Sequence, residues 1–336
     1  MKNRSEEKER AAPFKRNDEL ERLLAALNDS LSTAEQKLLE KAHGLGRDHP
    51  IIFIMGPLRS GTTLFMQWLA NSGVVAYPTN LLSRFYGAPA IGAQIQLLLT
   101  DPRYDFRNEI PEFNTSISFQ SENGKTVGTL EPNEFWYFWR RFLPFRDLDW
   151  LPDEELARVV DRDMLSKELT TLSRVFDKPF ALKAMILNYN IPFLNAIFEK
   201  ALFVQLRRDY VSNVSSVLDA RERQLGGREQ WYSFKIPEYP KLKDLDPLAQ
   251  AAGQVVHIDR AVTQGIASID QSRAMLVQYE DFCENPRNTF GELLDKLGLG
   301  ETETAYEGPE RFNISRNAEI PERQAIEDAL STFSAQ

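Results

Sequence analysis

Short apolar runs separated by longer stretches of helical periodicity set the pattern of this chain. Ile51–Met55, Phe180–Met185, Ala201–Leu206 and the run beginning at Ala274 are apolar along nearly their whole length. An unbroken run of that length predicts a strand covered on both faces. Val74–Tyr77 predicts a further strand. Helical spacing follows in Leu64–Leu69, in 88–100, 191–200, Tyr210–Arg221 and 248–270, and in the amphipathic segment that ends near Leu299.

Residues 18–43 carry Leu20, Leu23, Leu24, Leu27 and Leu31, then Leu38 and Leu39. The period breaks near Ser30–Thr33, where Thr33-Ala34-Glu35-Gln36 resembles a capping box, so two helices are expected. Glu21, Arg22, Asn28 and Asp29 form a polar set suited to a solvated face. These helices pack either on the core or on a second copy of the chain. The pattern leaves both open, and with them a homo-oligomer.

Strands alternating with helices predict the α/β class, with a mostly parallel sheet flanked by helices. Ligands in such folds bind outside the carboxyl ends of the strands. Residues 1–17 are charged and read as a flexible lead-in; 101–130 are irregular. Residues 222–247 are punctuated by Gly and Pro and read as a long loop or lid. The tail from 301 is polar with scattered helical signal.

Composition narrows the class. With 336 residues, 42% hydrophobic and 26% charged, the chain reads as a soluble globular protein. Its longest apolar runs are strand-length, too short for a transmembrane segment. The N-terminus has no apolar stretch of the kind a secretory signal needs. The single cysteine, Cys283, excludes an internal disulfide, and His43, His49 and His257 are scattered without zinc spacing. A cytoplasmic location is therefore expected. A net charge of −9 argues against a nucleic-acid partner and makes an anionic polymer a poor substrate.

The chemistry concentrates in residues 51–64, IIFIMGPLRSGTTL. A strand, a Gly-bearing turn and a helix start make an anion cradle, because unpaired N–H groups converge there and the helix dipole favours negative charge. Gly56-x4-Gly61 copies the spacing of the nucleotide-binding P-loop, but Thr62-Thr63 stand where that motif requires Lys followed by Ser or Thr. The cation in the turn is Arg59, a planar fork suited to a terminal phosphate. The loop reads as built for a phosphate and not for a triphosphate carrying magnesium. Farther on, the run Ala201–Leu206 leads into Arg207-Arg208-Asp209 and a helix, with Arg208 and Ser216 spaced Arg-x7-Ser. That spacing puts Ser216 about two turns into the helix, from where both side chains can donate to one phosphate. Asp209, Glu280 and Asp281 follow strand ends and keep a magnesium-dependent reading open.

GPLRSGTTL resembles the 5′-phosphosulfate loop of sulfotransferases that use 3′-phosphoadenylyl sulfate (PAPS), commonly written G-x-x-R-S-G-T-T-L. Arg208-x7-Ser216 resembles their 3′-phosphate site, with Tyr210 where Pro is usual. Residues 274–299 are similar to their late strand–helix unit. The resemblance implies a P-loop-like sulfotransferase architecture, a single domain over 18–336 with acceptor-side insertions at about 80–178 and 222–270. The implied activity is transfer of a sulfuryl group from PAPS to a hydroxyl of a small molecule, glycan or lipid by in-line displacement, with no metal. Donor contacts carry over to Arg59, Ser60, Gly61, Thr62, Thr63, Arg208 and Ser216, to Tyr279 against the adenine, and to Arg316 in the late basic segment that includes Arg311.

Arg59 and Lys183 are the implied catalytic cations. Lys183 is similar to a lysine on the strand before the 3′-phosphate strand, although Lys-Ser-Pro-x-His reads Lys183-Ala184-Met185-Ile186-Leu187 here. Many relatives place a catalytic Glu soon after the loop Arg, but residues 79–100 contain no Asp, Glu or His. The nearest acids, Glu131 and Glu134, are either the general base or acids at a helix start placed by Pro132 and Asn133. Phe135–Trp139 is either core or an acceptor wall, and Trp231 and Tyr232 fall where relatives bring an acceptor-side loop. A P-loop kinase or NTPase and a non-catalytic nucleotide-binding protein stay open as alternatives.

Overall fold

Four apolar runs become the strands β1 (Ile51–Met55), β2 (Phe180–Lys183), β3 (Leu202–Arg207) and β4 (Ala274–Gln278) of one parallel sheet, in the order β2-β1-β3-β4. This computed structural model describes residues 17–104, 107, 109–113, 116–121, 125–144, 149–300, 305–314, 320 and 322–334. The early helices are α1 (Asp18–Glu40), α2 (Thr62–Ser72), α3 (Pro89–Thr100), α4 (Trp136–Phe142), α5 (Asp153–Val159) and α6 (Arg162–Phe176). They are followed by α7 (Ile191–Ile197), α8 (Tyr210–Leu225), α9 (Tyr239–Leu242) and α10 (Pro247–Ala267). The last three are α11 (Tyr279–Glu284), α12 (Pro286–Leu297) and α13 (Arg323–Ser334). Among the described residues no helix is long and apolar enough to cross a membrane.

The period-two alternation of the strands feeds two cores. Ile51, Phe53 and Met55 of β1 join Phe180, Leu182 and Phe203 on one face. Ile52 and Ile54 join Ala181, Leu202, Val204 and Leu206 on the other, against Phe65 and Trp68 of α2. All five residues of β1 are buried, as expected for a central parallel strand. Register aligns the strand ends: Ile54 pairs with both Lys183 and Val204, and Arg207 pairs with Gln278. After β1 the chain goes to one side for β2 and to the other for β3. That reversal opens a crevice at their carboxyl ends.

Two expected elements differ. Val74–Tyr77 makes one bridge, Ala76 to Phe180, and no strand. Gly73 is left-handed at φ 70°, and Pro78 has no N–H to extend a ladder. The two N-terminal helices are a single helix, α1. Ser30 and Ser32 turn their hydroxyls back to the Ala26 and Asp29 carbonyls and start no new helix. Asn17, the one described residue of the expected lead-in, caps α1 by accepting from Glu19 and Leu20 N–H. Asn28, expected on the solvated face, is buried. Its amide donates to the Leu24 and Arg84 carbonyls and accepts from Gly87 N–H.

Glu35 does not complete a local capping box either. Its two carboxylate oxygens accept from Ala90 N–H (2.8 Å) and Ile91 N–H (3.0 Å), capping α3 from across the fold. Burial pushes its pKa from 4.5 to about 7; Glu168 raises it further, while the two amides and Arg141 oppose. A folded pKa above the unfolded one means the folded state binds the proton more tightly. The stability Glu35 confers when protonated is therefore lost as pH rises from its unfolded value through about 7. Urea unfolding between about pH 5 and about pH 8 should show wild type losing on the order of 1–3 kcal/mol relative to Glu35→Gln. Parallel pH curves would contradict this.

Candidate functional site

Between β1 and α2 the chain turns through Gly56 (φ 138°), Arg59 (φ 64°) and Gly61 (φ 98°). A Cβ at Gly61 would lie 2.2 Å from Tyr279 Cδ2, so the position combines a left-handed backbone with close packing that only glycine permits. Two buried asparagines fix the turn from behind. Asn188 accepts from Gly56 N–H (3.0 Å) and donates to Gly56 O (2.8 Å). Asn213 of α8 donates to Leu58 O (2.7 Å). Thr62 Oγ1 points to Met185 Sδ at 3.5 Å.

α2 starts at Thr62 after its N-cap Gly61 with no side-chain cap hydrogen bond, so the positive end of the helix faces the turn. Ser60 Oγ is buried beside it with no hydrogen-bond partner. An uncapped helix start and an orphaned buried hydroxyl in one turn fit an anionic group of the phosphate or sulfonate type.

Cations from separate segments converge on this turn. Arg59 Nε donates to Ser216 Oγ at 3.2 Å, and Arg208 Nη1 donates to Arg59 O at 3.2 Å. The Arg208 guanidinium stacks 4.9 Å over the ring of Tyr279. The loop, the β3–α8 junction and the β4–α11 junction thus meet, as the strand register requires. Burial holds the Arg59 guanidinium below its usual pKa; Tyr232 and Glu134 oppose that, while Arg208 and Arg223 add to it. At the end of β2, Lys183 Nζ donates to Thr63 Oγ1 (2.8 Å) and to Glu134 Oε1 (3.3 Å). Burial depresses the Lys183 ammonium, and the Glu134 charge and hydrogen bond pull it back. Its partner Glu134 is 55% exposed at the side chain, so this ion pair has one foot in the core and one in solvent.

Residues 50–303 match the model of the sulfotransferase family. The chain belongs to that family. Its fold is similar to the sulfotransferase STF1 of Mycobacterium tuberculosis H37Rv, at a TM-score of 0.51 and 15% identity, covering 90% of this chain and 81% of that one. It is also similar to the sulfotransferase STF9 of Mycobacterium avium, at 0.50 and 16%, covering 86% and 76%. At such identities the likeness is one of fold. A search of curated protein sequences gives no match.

Within this sulfotransferase-family chain the two candidate bases separate cleanly. Glu131 is 2% exposed. One of its oxygens accepts from Ser118 N–H (2.6 Å) and Ser118 Oγ (2.8 Å), and the other from Gln67 Nε2 (2.9 Å). Its carboxylate is saturated and ties the 116–121 segment to α2. Neither acid lies at a helix start, because α4 begins at Trp136 after Phe135 turns left-handed at φ 54°. Tyr279 is 6% exposed and packs beneath Gly61 and Arg208. Arg316 lies outside the described residues.

Two of the acids that could have favoured magnesium, Asp209 and Glu280, are engaged in hydrogen bonds within the fold. Asp209 accepts from Ser212 N–H and Oγ at the start of α8. Glu280 accepts from Asp209 N–H and from Gln278 Nε2. Among the described residues no group of three His, Cys, Asp or Glu is arranged to hold a metal. Of the aromatic run, Phe135, Phe138 and Trp139 are core, and Trp139 Nε1 donates to Lys183 O (2.9 Å), steadying the end of β2. Sequence reasoning missed Asn188 and Asn213. The available signal was Asn213 one turn before Ser216 on the same face of α8; Asn188 carried none.

Proposed function

We propose that this sulfotransferase-family chain moves a sulfuryl group from PAPS to a hydroxyl of a small molecule, glycan or lipid. The observation that carries this reading is the convergence of Arg59, Arg208, Ser216 and Lys183 on one uncapped helix start. PAPS supplies the sulfuryl group, and transfer is an in-line displacement helped by positioning and electrostatics.

Arg59, Ser60, Thr62, Thr63 and the N–H groups from Gly61 onward would hold the phosphosulfate end. Arg208 and Ser216 would hold the 3′-phosphate: Ser216 accepts from Arg59 and keeps its own O–H as a donor. Tyr279 supports both by packing Gly61 and orienting Arg208. Glu134, half in solvent, takes the proton of the acceptor hydroxyl as its oxygen bonds to sulfur. Lys183 lies between that carboxylate and Thr63, placed to offset negative charge on the departing phosphate oxygen.

Incubation with PAPS and a panel of alcohols should release 3′-phosphoadenosine 5′-phosphate only when an alcohol is sulfated, and a chelator should leave the rate unchanged. Chelator-sensitive consumption of ATP instead would contradict the proposal.

A further inference from the structure

A side chain finishes the ladder between β1 and β2. Along the edge of β1 that faces β2, the Pro50 carbonyl accepts from Phe180 N–H (3.1 Å) and the Ile54 carbonyl from Ala184 N–H (2.9 Å). With the period of two of a strand, Gly56 is the next residue to face that way. β2 has ended by then, because Lys183 is its last residue and Met185–Leu187 form a 3-10 turn. The Asn188 amide stands in for the missing strand: it accepts from Gly56 N–H at 3.0 Å and donates to Gly56 O at 2.8 Å. On the side of β3, a Cβ at Gly56 would lie 2.3 Å from Leu206 O. The first residue of the turn is thus held between β3 and Asn188.

Asn188 is itself mounted firmly. It is 1% exposed, and each of the two residues after it is fastened to a different segment. Tyr189 OH donates to Glu238 Oε2 (2.9 Å) at the start of α9. Asn190 Nδ2 donates to Leu151 O (3.0 Å) and to Asp153 Oδ1 (2.6 Å) at the start of α5. Because Asn188 occupies Gly56 N–H, that group is kept from the anion. Its part is to fix where the turn leaves the sheet.

We infer that Asn188 is a positioning residue for the sulfuryl donor: by completing the sheet at Gly56 it sets where Arg59 and the start of α2 meet the 5′ phosphosulfate end. The inference rests on the PAPS reading and adds to it a residue that acts only through the turn. An amide is the group the position requires, since Gly56 presents one donor and one acceptor to it, both buried from water. An ionised carboxylate would satisfy Gly56 N–H and repel Gly56 O. A protonated carboxyl would satisfy both, its O–H donating to the carbonyl and its other oxygen accepting from the N–H.

The test is calorimetry of wild type, Asn188→Asp and Asn188→Ala with two probes, 3′-phosphoadenosine 5′-phosphate and adenosine 3′-phosphate, which lacks the 5′ group. Each variant is compared with wild type at the same pH, with thermal unfolding to confirm the fold. At about pH 8 both variants should bind the bisphosphate about 10- to 100-fold more weakly, the scale of a displaced binding element, and adenosine 3′-phosphate within about twofold of wild type. Burial raises a carboxyl pKa, so at about pH 5.5 Asn188→Asp should return to within about threefold of wild type while Asn188→Ala stays weak. Asn188→Ala covers the case in which the buried carboxylate unfolds the protein at the higher pH. Bisphosphate binding unchanged in both variants would overturn the inference and leave the donor reading standing. Equal loss of both probes, or no recovery of folded Asn188→Asp at low pH, would reduce Asn188 to a general support of the fold and overturn it too. Absence of bisphosphate binding in wild type would overturn the donor reading and this role together.

Discussion

Glu134→Gln is expected to slow sulfuryl transfer by about 10²–10⁴-fold while leaving affinity for 3′-phosphoadenosine 5′-phosphate within about twofold. Glutamine keeps the size of the side chain and its contact with Lys183 but cannot accept the acceptor proton. Glu134 is half in solvent, and the buried Lys183 ammonium, which loses a charged partner, keeps Thr63 Oγ1 and the amide oxygen as acceptors, so the loss of stability should be smaller than that of Glu131→Gln. Glu131→Gln should behave in the opposite way. The three hydrogen bonds that Glu131 accepts, two on one oxygen and one on the other, come from donors. A glutamine NH2 would meet at least one of them head-on, at a cost of about 1–3 kcal/mol in stability. Turnover and urea midpoint measured on both variants check this: the rate should fall with Glu134 and the midpoint with Glu131. A large rate loss in a fully folded Glu131→Gln, with Glu134→Gln unaffected, would reverse the assignment.

Arg208→Ala is expected to weaken binding of 3′-phosphoadenosine 5′-phosphate by about 10- to 100-fold, the scale of one or two charge-assisted hydrogen bonds. A second effect adds to it. Arg208 holds the Arg59 carbonyl and stacks on Tyr279, so the substitution removes a brace from the turn on the side where Arg59 meets Ser216. Ser216→Ala should cost less, because it removes one neutral donor and leaves both guanidinium groups. Calorimetry of the two variants, with thermal unfolding to confirm the fold, checks the order. Equal effects, or none from Arg208, would contradict a 3′-phosphate role.

Much of the fold was legible because its sheet is central and parallel. Strands covered on both faces must be apolar throughout, so β1 to β4 stood out as runs, and the loops after β1 and β3 could be placed at neighbouring strand ends. What failed depended on partners far away in sequence. Asn28 and Glu35 look like surface and capping residues in α1, yet one bonds Arg84 and Gly87 and the other caps α3. Val74–Tyr77 had strand composition but is confined between Gly73 and Pro78. In the site, Arg59, Arg208 and Ser216 were readable from local spacing. The difference between Glu131 and Glu134 was not, because it lies in Ser118, Gln67 and Lys183, none of them near in sequence to both acids. The clamp that Asn188 places on Gly56 was invisible for the same reason.

The most direct test of the donor site is calorimetry of wild type with 3′-phosphoadenosine 5′-phosphate, set against ATP with magnesium under the same conditions. Tight binding of the bisphosphate with weak binding of ATP is the predicted result: the turn offers Arg59 and an uncapped helix start to a compact anion, and Arg208 with Ser216 to a 3′-phosphate. Preference for ATP with magnesium would contradict the account at its centre.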